Sequence, residues 1–231
     1  MRDDICSIPV SDVFEPKCGC PVCRLRDMLK QRMVDYILGA AMMEPDVRQK
    51  TNEMGFCREH LTDMMNAKKR LPLALVLETH LDYLKNDLFK ESFFKPSTKK
   101  QLYKTSKIES TCFVCDRIEW GMERILATMF KTYSEQLEFR QLFNEQEYLC
   151  LVHYRLLLSL SSESLDKKTA AKFNEDIKTL CKNYLSSLYD DVHQYTKMFD
   201  YRNSSDENKD WGSCKDSIER TYEFLCAENA E

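Results

Sequence analysis

The motifs CPVCRL at residues 20–25 and CREHL at residues 57–61 decide the fold that this sequence predicts. They recur in the same order as CFVCDRI at residues 112–118 and CLVHY at residues 150–154. The Cys-x-x-Cys and Cys-x-x-His motifs are separated by 33 residues in the first copy and by 34 in the second. With only four histidines in 231 residues, two such pairs at matched spacing are not expected by chance. The sequence therefore predicts two copies of one structural pattern.

The spacing within these motifs suits metal coordination. Two cysteines three residues apart can bind one ion from a turn that enters a helix, where the helix N-terminus also favours the thiolate. A cysteine and a histidine three residues apart on a helix project from the same face. We expect two Cys3His sets that each hold one structural Zn2+ ion, because three thiolates and an imidazole fill all four tetrahedral positions. The expected ligands are Cys20, Cys23, Cys57 and His60 in the first set, and Cys112, Cys115, Cys150 and His153 in the second.

The pairing of these ligands is a separate question that the sequence leaves open. Grouping within each copy is the simpler expectation. An alternative joins Cys20 and Cys23 to Cys150 and His153 across the two copies. Cys18 stands two residues before Cys20 and could replace it as a ligand, although a loop residue is the simpler interpretation.

The composition favours an all-α fold. The chain has 231 residues, of which 43% are hydrophobic, so it can bury a core. Only five glycines and six prolines are present, which is too little turn chemistry for a sheet of many strands. We expect a helical bundle of two pseudo-repeated halves, each with one Cys3His zinc-like site.

Periodicity and charge divide the chain into three parts. Residues 1–94 form the first predicted repeat, residues 95–110 a basic linker, and residues 111–231 the second repeat with long C-terminal helices. Apolar residues at helical spacing predict a helix in the gap of each copy, between the Cys-x-x-Cys and Cys-x-x-His motifs. Further helices are predicted from Pro72 to about Phe89, from Phe173 to Phe199 and from Ser217 to Leu225, and a polar loop over Arg202–Asp210.

Cysteine usage and the N-terminal sequence favour the cytoplasm. Eleven cysteines form an odd count, and residues 1–16 mix acidic and apolar side chains in a way that does not resemble a secretory signal. Metal ligation is therefore a better interpretation of the cysteines than a disulfide framework. The most apolar run, Leu71 to Leu77, is too short for a membrane span.

Several other functions remain as alternatives. One alternative is a regulator that binds nucleic acid or responds to redox or metal status. The cysteines could also be reduced core thiols, or a redox pair, although no βαβ pattern surrounds them. Lysines of the linker and of residues 68–70 could contact nucleic acid, which the formal charge of −4 does not favour. An enzyme with a site between the halves would use His80 or His193, but we expect each to be a buried histidine with its hydrogen bonds satisfied. We expect no catalytic residues and an unknown protein partner, with the chain acting as an interaction or scaffold module.

The motifs CPVC, GFCREHL, CFVCD and LCLVHY, together with the tail FDYRNSSDENKDWGSCKDSIERTYEFL, resemble an uncharacterised family of bacterial helical proteins known as a domain of unknown function. The likeness spans nearly the whole chain. The second copy has Phe113 where the first has Pro21, which leaves the ligands intact. Because the family has no established activity, the resemblance implies a fold and paired Cys and His sites, and no function.

Overall fold

The computed structural model describes residues 10–89, 98–199 and 211–226 of the chain. Within these residues all regular structure is helical and no β-strand is present. The α-helices are α1 (Val10–Phe14), α2 (Pro21–Ile37), α3 (Pro45–Met54), α4 (Arg58–Asn66), α5 (Arg70–Leu88), α6 (Thr98–Ser110), α7 (Phe113–Glu135), α8 (Leu137–Asn144), α9 (Leu151–Ser164), α10 (Lys167–Met198) and α11 (Ser217–Leu225). Two short 3-10 helices span Ala40–Met43 and Gly212–Cys214. The all-α prediction is confirmed.

Local sequence explains where several of these helices begin. Pro21 and Pro45 open α2 and α3, because proline suits the first helical turn, where its missing N–H is not needed. Asp166 caps α10, and its carboxylate accepts hydrogen bonds from the backbone N–H groups of Lys168 and Thr169. This carboxylate therefore has a pKa below its usual range, mainly because Thr169 and the helix backbone stabilise its charge.

The predicted helices occur close to their expected bounds, and two regions differ. The final helix covers Ser217–Leu225 as predicted, and the gap in each copy contains two α-helices where one was expected. Residues 98–110, expected within a linker, form α6, although none of its residues is buried. Lysine is a good helix former, so a lysine-rich stretch without an apolar stripe can still be helical. The polar loop expected at residues 202–210 lies outside the described residues.

The described chain divides into two compact units. Unit one comprises Arg26–Arg124, and unit two comprises residues 10–25 together with residues 125–226. Both α2 and α7 begin in one unit and end in the other. The division of the chain into two repeats that are joined by a linker at residues 95–110 stays a prediction.

Unit one packs mainly around apolar side chains of α2, α4, α5 and the start of α7. Leu29, Met33 and Met64 are fully buried. Gly121 lies against Leu29, where an added Cβ would come within 3.1 Å of Leu29 Cδ1. The close approach of α7 to α2 therefore depends on a residue without a side chain.

Unit two has an aromatic core. The Tyr133 and Phe173 rings meet edge to face at 4.9 Å, and Phe143 lies 5.5 Å from Tyr133 and 5.6 Å from Phe14. Such pairs add about 0.5–1.5 kcal/mol each beyond the area that they bury. Phe14 joins α1, which precedes Cys20 and Cys23 in the chain, to this core.

In the described part of the chain, no helix is both long and apolar enough to cross a membrane.

Candidate metal centres

In unit one, four potential ligands come from the beginnings of two helices. Cys57 is the residue that precedes α4, and His60 lies in the first turn of that helix. Cys112 precedes α7, and Cys115 lies in its first turn. The i, i+3 spacing in each motif places both of its side chains on one side of a helix start.

The ligand atoms of this unit-one cluster are close to one another. The His60 Nδ1 atom lies 3.1 Å from Cys57 Sγ, 3.5 Å from Cys112 Sγ and 3.4 Å from Cys115 Sγ. The Sγ atoms of Cys57 and Cys115 are 3.9 Å apart. His60 is buried, whereas Cys57 and Cys115 are partly accessible.

The unit-two cluster repeats this local arrangement with the other four residues. Cys20 and Cys23 flank the start of α2, while Cys150 precedes α9 and His153 lies in its first turn. The His153 Nδ1 atom lies 3.6 Å from Cys20 Sγ, 3.3 Å from Cys23 Sγ and 3.1 Å from Cys150 Sγ. The Sγ atoms of Cys23 and Cys150 are 3.8 Å apart.

Both clusters have dimensions that fit a tetrahedrally coordinated ion. With metal–sulfur bonds of about 2.3 Å and metal–nitrogen bonds of about 2.0 Å, tetrahedral geometry places ligand atoms about 3.5–3.8 Å apart. In each cluster the four ligand atoms lie within 4.8 Å of one another. A disulfide would need a sulfur–sulfur distance of about 2.05 Å, and all the described cysteines are free thiols. Each cluster could therefore hold one metal ion.

The expected grouping of ligands within each copy is wrong. Cys20 and Cys23 meet Cys150 and His153, and Cys57 and His60 meet Cys112 and Cys115. Each Cys-x-x-Cys motif is thus completed by the Cys-x-x-His motif of the other copy. Helical segments lie between the Cys-x-x-Cys motif and the Cys-x-x-His motif of each copy. These two motifs are therefore not brought together by being nearer in the sequence. The structure places all eight predicted residues in the two clusters.

Hydrogen bonds to backbone carbonyl oxygens hold the two ligand loops of unit one together. The Phe113 N–H donates to the Gly55 carbonyl oxygen at 3.0 Å, and the Thr111 hydroxyl donates to the Met54 carbonyl oxygen at 2.8 Å. Gly55 has φ +63°, which favours glycine, and its missing side chain leaves room for His80. The loop before Cys57 is therefore fixed to the loop before Cys115 without help from a metal ion.

In unit two, hydrogen bonds and an ion pair that involve side chains join the two segments that carry the ligands. The Gly19 N–H donates to the Glu147 carboxylate at 2.7 Å, and Lys17 pairs with Glu145 at 2.5 Å. Arg24 donates to the Val13 carbonyl oxygen at 2.8 Å and to the Gln146 side-chain oxygen at 3.1 Å. These contacts join the segment before Cys20 to the segment before Cys150.

Two thiols of the unit-one cluster resist ionisation. Burial, followed by the neighbouring cysteines, raises the pKa of Cys115, and burial also raises the pKa of Cys112. Burial lowers the pKa of His60, which keeps its imidazole neutral and able to coordinate. Three thiolates in contact repel one another, so full ionisation of the cluster requires a cation.

In unit two the cluster favours the ionisation of one thiol. Burial opposes the ionisation of Cys20, but hydrogen bonds from Cys150, Cys23 and His153 hold the pKa of Cys20 well below its usual value. The other two thiols are harder to ionise. The hydrogen bond with Cys150 raises the pKa of Cys23, and the hydrogen bond with Cys20 raises the pKa of Cys150 to about 12. A divalent cation would stabilise all three thiolates together.

The other residues singled out by the sequence lie outside the two clusters. Cys18 is exposed and 4.0 Å from an Arg24 nitrogen, so it is not one of the four clustered ligands. His80 is partly buried and its Nδ1 lies 3.0 Å from the Asn52 carbonyl oxygen, in agreement with a hydrogen-bonded histidine. His193 is exposed and stacks on Tyr189, so the expectation that it is buried is wrong.

One thiol near the unit-two cluster is not predicted from the sequence. Cys181 on α10 donates to the Leu149 carbonyl oxygen at 3.3 Å, next to the ligand Cys150. Burial raises the pKa of Cys181 to about 11, with a smaller contribution from the charge of Cys20. Its sequence neighbours form an ordinary amphipathic helix, so only the fold reveals its position.

A model of one protein family matches residues 1–231, the whole chain, and its description is Family of unknown function (DUF6062). The chain belongs to this family. Membership agrees with the resemblance noted from the motifs, and the family's description assigns no activity. No curated protein and no solved structure matches the chain.

Proposed function

We propose that each cluster holds one Zn2+ ion as a structural clamp, and that the clamped helical protein acts as an interaction or scaffold module. The observation that carries the proposal is the tetrahedral set of three sulfurs and one nitrogen in each unit. Soft thiolate donors in tetrahedral geometry favour zinc over the harder divalent ions. Four protein ligands leave no open position for water, which is typical of structural sites and not of catalytic ones.

The magnitude of zinc binding supports a structural role. In small modules the ion contributes about 10–16 kcal/mol of apparent folding free energy, comparable to the stability of a whole domain. Thiolate ligands persist in a reducing compartment, so we place the protein in the cytoplasm.

An exposed apolar stripe supports the interaction role. Ile218, Tyr222 and Leu225 recur at i, i+4 and i+7 on α11, and their side chains are 53%, 63% and 48% exposed. The helix buries Phe224 on its other side. Apolar side chains that share an exposed face commonly mark a surface for protein partners.

The zinc function is tested on protein purified under reducing conditions without added metal. We expect two zinc ions per chain by elemental mass spectrometry, and loss of helical circular dichroism when a strong chelator is added. Absence of bound metal, with helicity unchanged by the chelator, would reject the clamp.

The interaction role needs a separate experiment. Crosslinked partners are identified by mass spectrometry for the unaltered protein and for the variant Ile218→Ser/Tyr222→Ser. We expect specific partners to be lost in this variant and kept in the control Leu137→Ser, which alters a side chain that is 67% exposed on α8. Identical partners in all three proteins would exclude the α11 stripe as the interaction surface.

A further inference from the structure

One face of α4 carries a line of side chains that continues beyond the unit-one ligands. Cys57, His60 and Asp63 follow one another at intervals of three residues, so they project from the same side of the helix. The Nδ1 atom of His60 faces Cys57 Sγ at 3.1 Å. Carboxylate oxygens of Glu59 and Asp63 and a ring nitrogen of His60 all lie within 4.8 Å of one another.

The two acids differ in how their charge is satisfied. Glu59 is 44% exposed and lies 3.7 Å from the ammonium group of Lys30. The Oδ2 atom of Asp63 is shielded from solvent and has no hydrogen-bond partner among the described residues. A buried acceptor without a donor is costly, so a donor for Asp63 would stabilise the site.

A histidine that binds a metal through Nδ1 carries its remaining proton on Nε2. Metal-bound histidines almost always donate this second N–H to a carboxylate, a carbonyl or water, which fixes the ring and strengthens the ligand. The geometry places an acceptor without a donor within 4.8 Å of a ring nitrogen of His60, and no hydrogen bond joins these two described residues in the structure.

We propose that Asp63 is a positioning residue that turns to accept the Nε2–H of His60 when the ion is bound, and that it makes the unit-one centre retain zinc longer than the unit-two centre. This inference rests on the proposed zinc function. The corresponding positions of unit two carry no acid, because Val152 and Leu156 stand around His153 where Glu59 and Asp63 stand around His60. The two centres share their ligands and differ in this outer carboxylate.

The experiment follows the release of zinc from the full chain to a chromophoric chelator under reducing conditions. We expect two kinetic phases of equal amplitude in the unaltered protein, with the slow phase from unit one. Asp63→Leu, which installs the residue found at position 156, should accelerate the slow phase by about 10- to 100-fold and leave the fast phase unchanged. Asp63→Glu should restore slow release, and the control Glu59→Gln should release zinc as the unaltered protein does.

A second readout separates positioning from general loss of structure. In cadmium-113-loaded protein, Asp63→Asn keeps the shape of the side chain and should shift one of the two cadmium NMR signals, leaving the other in place. Unchanged release in Asp63→Leu, equal acceleration of both phases, or acceleration only in Glu59→Gln would each overturn the proposal. Lack of zinc in the unaltered protein would instead reject the zinc function itself, and the inference with it.

Discussion

Gly55 adopts a backbone conformation of φ +63° and ψ −157°, which residues with a side chain rarely adopt. Its carbonyl oxygen accepts the hydrogen bond from Phe113 that joins the two ligand loops of unit one. A Cβ added here would lie 3.1 Å from His80 Cε1 and 3.2 Å from His80 Nε2. His80 therefore acts as a packing residue behind the Cys57 loop.

Gly55→Ala tests this local requirement. We expect a loss of about 2–4 kcal/mol in the free energy of unfolding, from backbone strain and the contact with His80 together. Gly19→Ala is the matched control, because Gly19 has φ +60° but nothing within 4 Å of its added Cβ. The control should lose only about 1–2 kcal/mol. Denaturant unfolding of both metal-loaded variants measures the difference, and equal losses would contradict a role for His80.

Tyr133 connects the aromatic core of unit two to a partly buried charge. Its hydroxyl donates to Asp176 Oδ2 at 2.6 Å, and Asp176 also accepts from Lys172 and Asn144. Burial opposes the charge of Asp176, but these three donors together hold its pKa below the usual 3.8. A carboxylate with a depressed folded-state pKa contributes stability above its unfolded pKa and loses it as the pH falls through the folded value.

Tyr133→Phe keeps the ring and removes the donor. We expect a loss of about 1–2 kcal/mol of stability at neutral pH, and this difference should shrink as the pH falls below about 4. Acid protonates the cluster thiols of both proteins alike, so the comparison of the variant with the unaltered chain isolates Asp176. A difference that stays constant down to pH 2 would contradict the assignment.

At the scale of single residues, the ligands could be predicted because their chemistry is local. The spacing of Cys57 to His60 and of Cys150 to His153 is enough to place both side chains on one helix face. Asp63 and Cys181 could not be recognised in the same way, because an acid or a thiol on a helix acquires its role only from what packs beside it.

At the scale of the elements, each centre joins the beginnings of two helices that are distant in the sequence. The cysteine pair Cys57 and Cys115 is separated by 58 residues, and the pair Cys23 and Cys150 by 127 residues. Closing the longer loop removes more conformational freedom from the unfolded chain, by about 0.7 kcal/mol. The metal in unit two should therefore stabilise its fold by slightly more, for equal affinity.

Pairs of ligand substitutions test the grouping directly. Cys23→Ala/Cys150→Ala removes two ligands of one centre and should leave one zinc ion per chain. Cys23→Ala/Cys57→Ala removes one ligand from each centre and should leave none. Elemental mass spectrometry measures the metal content, with Cys181→Ala as a control that keeps two ions. The opposite result for the two double variants would support grouping within each copy.

The grouping could not be predicted because both arrangements satisfy the same spacing rules. Sequence periodicity indicates that a helix follows each Cys-x-x-Cys motif, but it does not say which helix start that motif meets. The α6 helix was missed for a related reason, since it has no buried residue to produce an apolar stripe. Helices with a continuous apolar stripe, such as α10 and α11, could be predicted. The bounds of α11 agree with the prediction, and α10 begins at Lys167, before the expected Phe173.

At the scale of the whole molecule, metal binding changes the charge. Three thiolates bring three negative charges against the two positive charges of zinc, so each loaded centre adds one net negative charge. The formal charge of −4 for the chain then becomes about −6 with both centres filled. The loaded protein is more acidic than its sequence suggests.

Proton release on zinc binding measures this change. We expect protons to be released when unit one binds the ion, because the raised pKa values of Cys112 and Cys115 keep both thiols protonated beforehand. Unit two should release protons from Cys23 and Cys150, whose pKa values are also raised. Titration with zinc chloride at constant pH counts the protons, and release of none would show that thiolates do not bind the ion.

The separation of the unit-two ligands has a consequence for the order in which the chain is synthesised. His153 is made 133 residues after Cys20, a delay on the order of ten seconds at the usual rate of translation. During that time Cys57 and His60 are the first additional ligands that Cys20 and Cys23 can encounter. A four-ligand set formed from these N-terminal residues in the nascent chain would have to exchange ligands before the two final centres are complete.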